Sequence, residues 1–83
     1  MQVLLKLFAT LEDYLPPGSR FNQVEITVAD GATVQAVIDQ HRLPPKLVHL
    51  VLVNGVFIPP SERSAHRLTP GDVLAVWPPI AGG

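Results

Sequence analysis

The side chains that could perform acid-base, nucleophilic or metal chemistry are few and scattered along this sequence. The three histidines, His41, His49 and His66, form no His-x-x-x-His pair and have no third ligand nearby, so we expect no metal site. The serines lack the glycine pattern of a nucleophile elbow, and no glycine-rich loop is present to cradle a phosphate. We therefore expect a protein that is not itself an enzyme.

The remaining reactive group is the carboxylate at the end of "WPPIAGG", residues 77–83. Pro78 and Pro79 have no backbone N–H and should carry the chain out of the last strand after Trp77. Gly82 and Gly83 can enter a slot too narrow for any Cβ, although a frayed terminus is the ordinary alternative. We predict a folded domain over residues 1–77 and a projecting tail over residues 78–83. The tail residues that a partner would recognise are Pro78, Pro79, Ile80, Ala81 and Gly82, with Gly83 as the reactive site.

Composition excludes several other classes of function. The 83 residues fit one domain, and six Lys and Arg against seven Asp and Glu give a formal charge of -1 without a basic stripe for nucleic acid. No apolar run approaches the length of a membrane span, and the N-terminal stretch does not have the pattern of a signal peptide. The absence of cysteine excludes disulfides and thiolate metal sites and suits a cytoplasmic protein.

Hydrophobic periodicity predicts the elements that hold this tail. Alternating apolar residues indicate strands over residues 2–8 and 23–28 that pair as a hairpin, and a last strand over residues 73–77. A short helical turn is expected over residues 10–15. The helix lies in "DGATVQAVIDQHRLPP", with Asp30 or Thr33 as its cap and with Pro44 and Pro45 ending it.

The sequence pattern of the second half of the chain predicts a hairpin before the last strand. "LVHLVLV", residues 47–53, is an apolar run closed by Asn54-Gly55, the strongest short hairpin signal, and "VFI" is the short returning strand. The order strand, strand, helix, strand, short strand, strand indicates an α+β fold in which one main helix packs on a small mixed sheet, the β-grasp arrangement.

"LTPGDVLAVWPPIAGG" resembles the last strand and tail of the MoaD/ThiS sulfur carriers, ubiquitin-like β-grasp proteins that end in Gly-Gly. The resemblance extends through "VNGVFIPPSE", "TVQAVIDQH" and "MQVLLKLFATLEDYLP", and so covers nearly the whole chain. "PPIAGG" is more similar to the small subunits of molybdopterin synthase, whereas the "VNG" hairpin followed by "IPPSE" also resembles the carriers of the thiazole pathway.

The resemblance implies a chemistry for Gly83. A terminal carboxylate, whose pKa is ordinarily about 3.3–3.7, is anionic at neutral pH and is a poor acyl donor until it is activated. A MoeB/ThiF-type adenylating enzyme would use ATP and magnesium to form an acyl-adenylate, and a persulfide on the cysteine of a sulfur donor protein would then leave a thiocarboxylate. The acceptor would be the molybdopterin synthase large subunit or a thiazole synthase. No cofactor is expected on the chain itself.

Two other functions fit the same sequence. A ubiquitin-like protein modifier would be conjugated through Gly83, and an interaction module would dock through its sheet with Gly83 unmodified. "LPPKLVHLVLVNG" also resembles ubiquitin-like domains fused to certain nucleases, which lack the Gly-Gly end.

A partner surface is expected beside the tail in each case. If Leu74 and Val76 face the core, alternation places Ala75 and Trp77 on the opposite, open face, with Phe8 beside them. An exposed Trp77 would be an interface anchor, and the alternative is that Trp77 closes the edge of the core.

Overall fold

The computed structural model describes residues 1–80 and contains a five-stranded sheet with one α-helix packed on it. The strands are β1 (Gln2–Leu7), β2 (Gln23–Thr27), β3 (Leu50–Val53), β4 (Val56–Phe57) and β5 (Val73–Trp77), and the helix is α1 (Val34–Gln40). Short 3-10 helices occupy Ala9–Tyr14, Pro45–Leu47 and Pro60–Glu62. No helix within residues 1–80 is both long enough and apolar enough to span a membrane.

The strand order across the sheet is β2-β1-β5-β3-β4. β1 and β5 are parallel neighbours, whereas β1 with β2, β3 with β5 and β3 with β4 are antiparallel. The predicted α+β class, the β-grasp arrangement and the order of the elements are therefore confirmed. Because β1 and β5 are parallel, Phe8 after β1 and Trp77 at the end of β5 lie at the same end of the sheet.

Helix α1 begins as the sequence predicts and ends earlier than predicted. Thr33 is the N-cap, and its Oγ1 accepts a hydrogen bond of 3.1 Å from the N–H of Ala36. The helix stops at Gln40, whereas the sequence placed its end at Pro44 and Pro45. The reason is local, because Arg42 adopts a left-handed conformation with φ of 55° that ends the helix before the prolines.

The hairpin between β3 and β4 is confirmed at its turn. Asn54 and Gly55 have φ of 51° and 83°, the pair of positive angles that a type I′ turn requires. The predicted strand over residues 47–53 is too long, because the segment Pro45–Leu47 forms a 3-10 helix and β3 begins only at Leu50. His49 therefore precedes the strand, although the sequence placed it inside.

The hydrophobic core lies between α1 and one face of the sheet. Val3, Leu5 and Leu7 of β1 and Leu74 and Val76 of β5 are almost completely buried, as alternation predicts. They pack in one cluster with the buried face of the helix, which consists of Val34, Val37 and Ile38. The buried core therefore lies on this face of the sheet, and the chain beyond Trp77 continues from the end of β5, the middle strand.

Candidate functional site

The root of the tail is built by two stacked aromatic side chains. The rings of Phe8 and Trp77 are nearly parallel, with an interplanar angle of 8° and centroids 4.0 Å apart. The backbone holds them together, since the N–H of Phe8 donates a 3.2 Å hydrogen bond to the carbonyl of Val76. Both rings are half-buried. Trp77 therefore lies on the face opposite the core, as the alternation with buried Leu74 and Val76 requires.

The chain leaves the sheet immediately after Trp77. The Trp77 carbonyl accepts a 3.0 Å hydrogen bond from the N–H of His49, and the ladder ends there because Pro78 has no N–H to donate. Pro79 and Ile80 belong to no strand, and Ile80 is 83% exposed. The predicted roles of Ala81, Gly82 and Gly83 lie outside the described residues.

A buried arginine holds the backbone on the other side of this root. The side chain of Arg63 is buried, and its Nη2 donates a 3.2 Å hydrogen bond to the carbonyl of His49. The Arg63 carbonyl accepts from the N–H of Gln35 at 2.9 Å, which ties the same residue to α1. Burial lowers the pKa of Arg63 from its ordinary value. No sequence pattern indicated this role, because Arg63 lies in a charged irregular segment typical of solvated loops.

The open face of the sheet is apolar around the tail root. We define it as seven apolar residues that face away from the core on β1, β3, β4 and β5 or directly after β1: Leu4, Phe8, Leu50, Leu52, Phe57, Ala75 and Trp77. Lys6 lies on the same side of the sheet, between Leu4 and Phe8. Most of the apolar residues are half-buried, and Phe57 is 51% exposed. An apolar face of this kind, left without a covering layer in residues 1–80, is typical of a protein interaction surface.

Ala75 differs from the expectation of an exposed interface residue. It lies on the open face but is only 7% exposed. Its neighbours across the two flanking strands are Lys6 and Leu52, whose longer side chains stand beside the single methyl group. A partner would therefore meet Trp77 and Phe8 before it met Ala75.

The titratable groups of residues 1–80 do not assemble into a reactive centre. No group of three or more His, Asp or Glu side chains capable of holding a metal occurs in this part of the chain. The His41 Nε2 is buried without a hydrogen-bond partner among these residues, and burial lowers the pKa of His41. A cleft between α1 and Arg63 measures about 100 Å³, and two more open clefts measure about 200 and 220 Å³, all below the ~300 Å³ typical of sites that enclose a small molecule.

Comparison of the sequence with models of protein families gives one decisive match. The model described as the ThiS family matches residues 5–83, which is nearly the whole chain. The chain belongs to the ThiS family. No curated protein matches it significantly.

Solved structures show which proteins this ThiS-family chain resembles. SAMP1 from Haloferax volcanii is 28% identical, with a TM-score of 0.68 and full coverage of both chains. The Haloferax volcanii HVO 2177 protein is 29% identical over this entire chain and 87% of its own, with a TM-score of 0.77. Subunit 1 in the complex of subunits 1 and 2 of the molybdopterin-converting factor from Helicobacter pylori 26695 is 20% identical, with full coverage of both chains and a TM-score of 0.60, which shows the shared fold.

Proposed function

We propose that this protein is a sulfur carrier whose Gly83 carboxylate is adenylated and converted to a thiocarboxylate that donates sulfur in molybdopterin or thiamine thiazole biosynthesis. The observation that carries the proposal is the family match over residues 5–83, which runs through Gly82 and Gly83. The geometry of the tail root supports it, because the chain leaves the sheet at Pro78 and Ile80 is already largely exposed. A segment that leaves the sheet in this way can lead the residues that follow it into the active site of another protein.

The activation step converts a poor acyl donor into a good one. A carboxylate oxygen of Gly83 attacks the α-phosphorus of ATP on a MoeB/ThiF-type enzyme, and magnesium pyrophosphate leaves. The resulting acyl-adenylate has AMP as its leaving group, so a sulfur nucleophile can now attack the carbonyl carbon. Glycine at this position allows a narrow active-site channel to close around the backbone.

The sulfur step follows from the same acyl-adenylate. The terminal sulfur of a persulfide on a donor protein attacks the carbonyl and expels AMP, which gives an acyl disulfide. A second thiolate on the partner then attacks the other sulfur of that disulfide, so that the Gly83 thiocarboxylate leaves and a partner disulfide forms. The absence of cysteine from this chain means that no side-chain thiol of its own competes for the activated acyl group.

In this reaction the folded domain is the part of the protein that its partners recognise. Trp77 and Phe8 belong to the open face and lie where the tail begins, so a partner that covers this face would also receive the tail. The complex of subunits 1 and 2 formed by the Helicobacter pylori factor supports the idea that a large synthase subunit is one such partner. The proposed partners are the adenylating enzyme, the sulfur donor and a synthase subunit.

A second function is favoured by a specific comparison. SAMP1, which is also described as small archaeal modifier protein 1, is a protein modifier by name and is 28% identical over the full length of both chains. A modifier would share the adenylation step and differ only in the nucleophile, since a lysine amine that attacks activated Gly83 gives an isopeptide bond.

Intact-mass spectrometry of the protein purified from its native cells separates these functions. The carrier hypothesis predicts a species in which one oxygen is replaced by sulfur at Gly83. A ladder of proteins conjugated to Gly83 would instead support the modifier. A chain whose Gly83 stays unmodified under conditions that induce cofactor synthesis would contradict both and favour an interaction module.

A further inference from the structure

A bulky apolar residue occupies an unfavourable backbone position in the loop before β2. Arg20 and Gln23 exchange two backbone hydrogen bonds, of 2.9 Å and 3.1 Å, which close a tight turn with Phe21 as its first central residue. The φ of Phe21 is 57°, in the left-handed region that glycine and asparagine occupy readily and bulky residues occupy at a cost. The Phe21 side chain is also 95% exposed, so burial in this fold does not compensate for the strain.

The other left-handed residues have ordinary explanations. Asn54 belongs to a hairpin turn that favours asparagine, and Arg42 follows the last turn of α1. Ala9 is small and lies at the start of a 3-10 helix. Among residues 1–80, Phe21 alone combines a positive φ with a large exposed apolar side chain. Strained backbone that supports an exposed side chain is typical of functional positions.

The Phe21 turn lies at the same end of the sheet as the tail root. The carbonyl of Asn22, the next residue, accepts a 2.9 Å hydrogen bond from the N–H of Leu7 at the end of β1. The following residue, Phe8, stacks on Trp77. Because β2, β1 and β5 are consecutive strands, the turn lies two strand spacings, or about 10 Å, from the strand that carries Trp77.

The reach of the tail limits where an activating enzyme can bind. Six residues follow Trp77, and a fully extended chain spans at most about 3.6 Å for each residue, so the reach of a segment of this length is limited to roughly 20 Å from the end of β5. An enzyme that encloses the Gly83 carboxylate therefore binds close to the end of the domain where Phe21 projects. An exposed phenylalanine at that distance falls within the area of a protein interface of ordinary size.

We propose that Phe21 is an anchor for the enzyme that activates Gly83, inserting into an apolar pocket of that enzyme next to the channel for the tail. This proposal rests on the proposed function. The proposed contact surface for the activating enzyme then includes the loop before β2 as well as the open face. The alternation of apolar residues along the strands did not predict a role for this loop. Its occupant is a protein with an apolar pocket, rather than a small molecule, because the Phe21 side chain is 95% exposed and projects outward, so it can enter a pocket but does not itself line one.

The test compares activation of matched variants by the adenylating enzyme of the same organism, followed as ATP–pyrophosphate exchange against carrier concentration. Phe21→Gly removes the ring and suits the left-handed backbone, so its melting temperature should equal or exceed that of the natural chain. We expect its KM to rise about tenfold, with kcat at saturation changed by less than about twofold, as for loss of an interface anchor. Phe21→Leu, which keeps an apolar side chain, should recover most of the loss.

Val56→Ser is the matched control. Val56 is 63% exposed, but it belongs to the turn-proximal end of β4, away from the tail root, and its loss should leave KM unchanged. If Phe21→Gly has the KM of the natural chain, the anchor is wrong and the carrier function stands. If the natural chain itself gives no exchange, the proposed function fails and this inference fails with it. If sedimentation shows that Phe21→Gly converts a dimer into a monomer, the ring binds a second copy and the proposal is overturned.

Discussion

The two faces of the sheet differ in what covers them, although both are apolar. On the face toward α1, Leu5 and Leu74 are completely buried inside the chain's own core. On the open face, Leu4 lies on β1, next to Leu5, and Leu52 lies on β3, the strand that pairs with β5. Both side chains are only half-buried. A domain of this size buries only part of its apolar surface in its own core, and a second apolar face without a covering layer among residues 1–80 is typical of an interaction surface.

Neighbouring leucines on β1 provide the largest expected contrast. Leu5→Ala removes a completely buried side chain and should lower the free energy of unfolding by about 2–5 kcal/mol. Leu4→Ala, one residue away on the open face, should cost only about 1 kcal/mol, because its side chain is already half in water. Urea denaturation of both variants measures the difference. Equal losses would show that the open face stabilises the fold as much as the core does.

Trp77→Ala should affect binding more than folding. Truncation of an interface anchor is expected to weaken partner binding by about 2 kcal/mol, whereas loss of the stacking on Phe8 should cost the fold about 0.5–1.5 kcal/mol beyond its buried area. Calorimetric titration with the adenylating enzyme gives the first value and thermal unfolding gives the second. Trp77→Phe retains an aromatic ring against Phe8 and is the control. Unchanged affinity in Trp77→Ala would mean that the partner does not cover this face.

The smallest expected effect is a dependence of stability on pH through His41. Burial lowers its pKa in the folded protein, so the unfolded chain binds the proton more tightly. The stabilisation by neutral His41 is complete above the unfolded pKa of about 6.5 and is lost as the pH falls from there toward the folded pKa. His41→Gln should flatten this part of the stability profile. An identical profile in the variant would show that other groups produce the dependence.

Asp72 acts in a lower pH window and can be separated from His41. Burial alone would raise its pKa, but the hydrogen bonds from the Thr69 backbone and from the side chains of Asn54 and Thr69 lower it. Its contribution is present above the ordinary carboxyl range and is lost as the pH falls through the folded pKa. The Asn54 amide donates to Asp72 and its oxygen accepts from the N–H of Val73, each at 2.9 Å, so this cluster joins the hairpin turn to the start of β5.

The sequence predicted the elements better than it predicted their ends and their tertiary contacts. Period-two alternation identified the core residues of β1 and β5, and Asn54-Gly55 identified the hairpin, because both signals are local. The predicted end of α1 was wrong because Arg42 adopts a left-handed conformation that ends the helix before the prolines, and no sequence pattern predicts that conformation at an arginine.

The candidate site was predictable in part for the same reason. Alternation predicted that Trp77 and Ala75 share one face of β5 and that Leu74 and Val76 share the other. Which of the two faces points to the core was known only from the structure, in which Leu74 and Val76 are buried. The bond from Arg63 to the carbonyl of His49 joins residues that only the folded chain brings together. The positive φ of Phe21 could not be predicted either, because such angles are expected at glycine or asparagine and not at phenylalanine.

The most direct test of the central claim is a variant with one alanine appended after Gly83. The domain is unchanged, so its melting temperature should equal that of the natural chain, while ATP–pyrophosphate exchange with the adenylating enzyme should be abolished because the glycine carboxylate no longer exists. Normal exchange by the extended protein would contradict the account, since it would show that the Gly83 carboxylate is not the group that is activated.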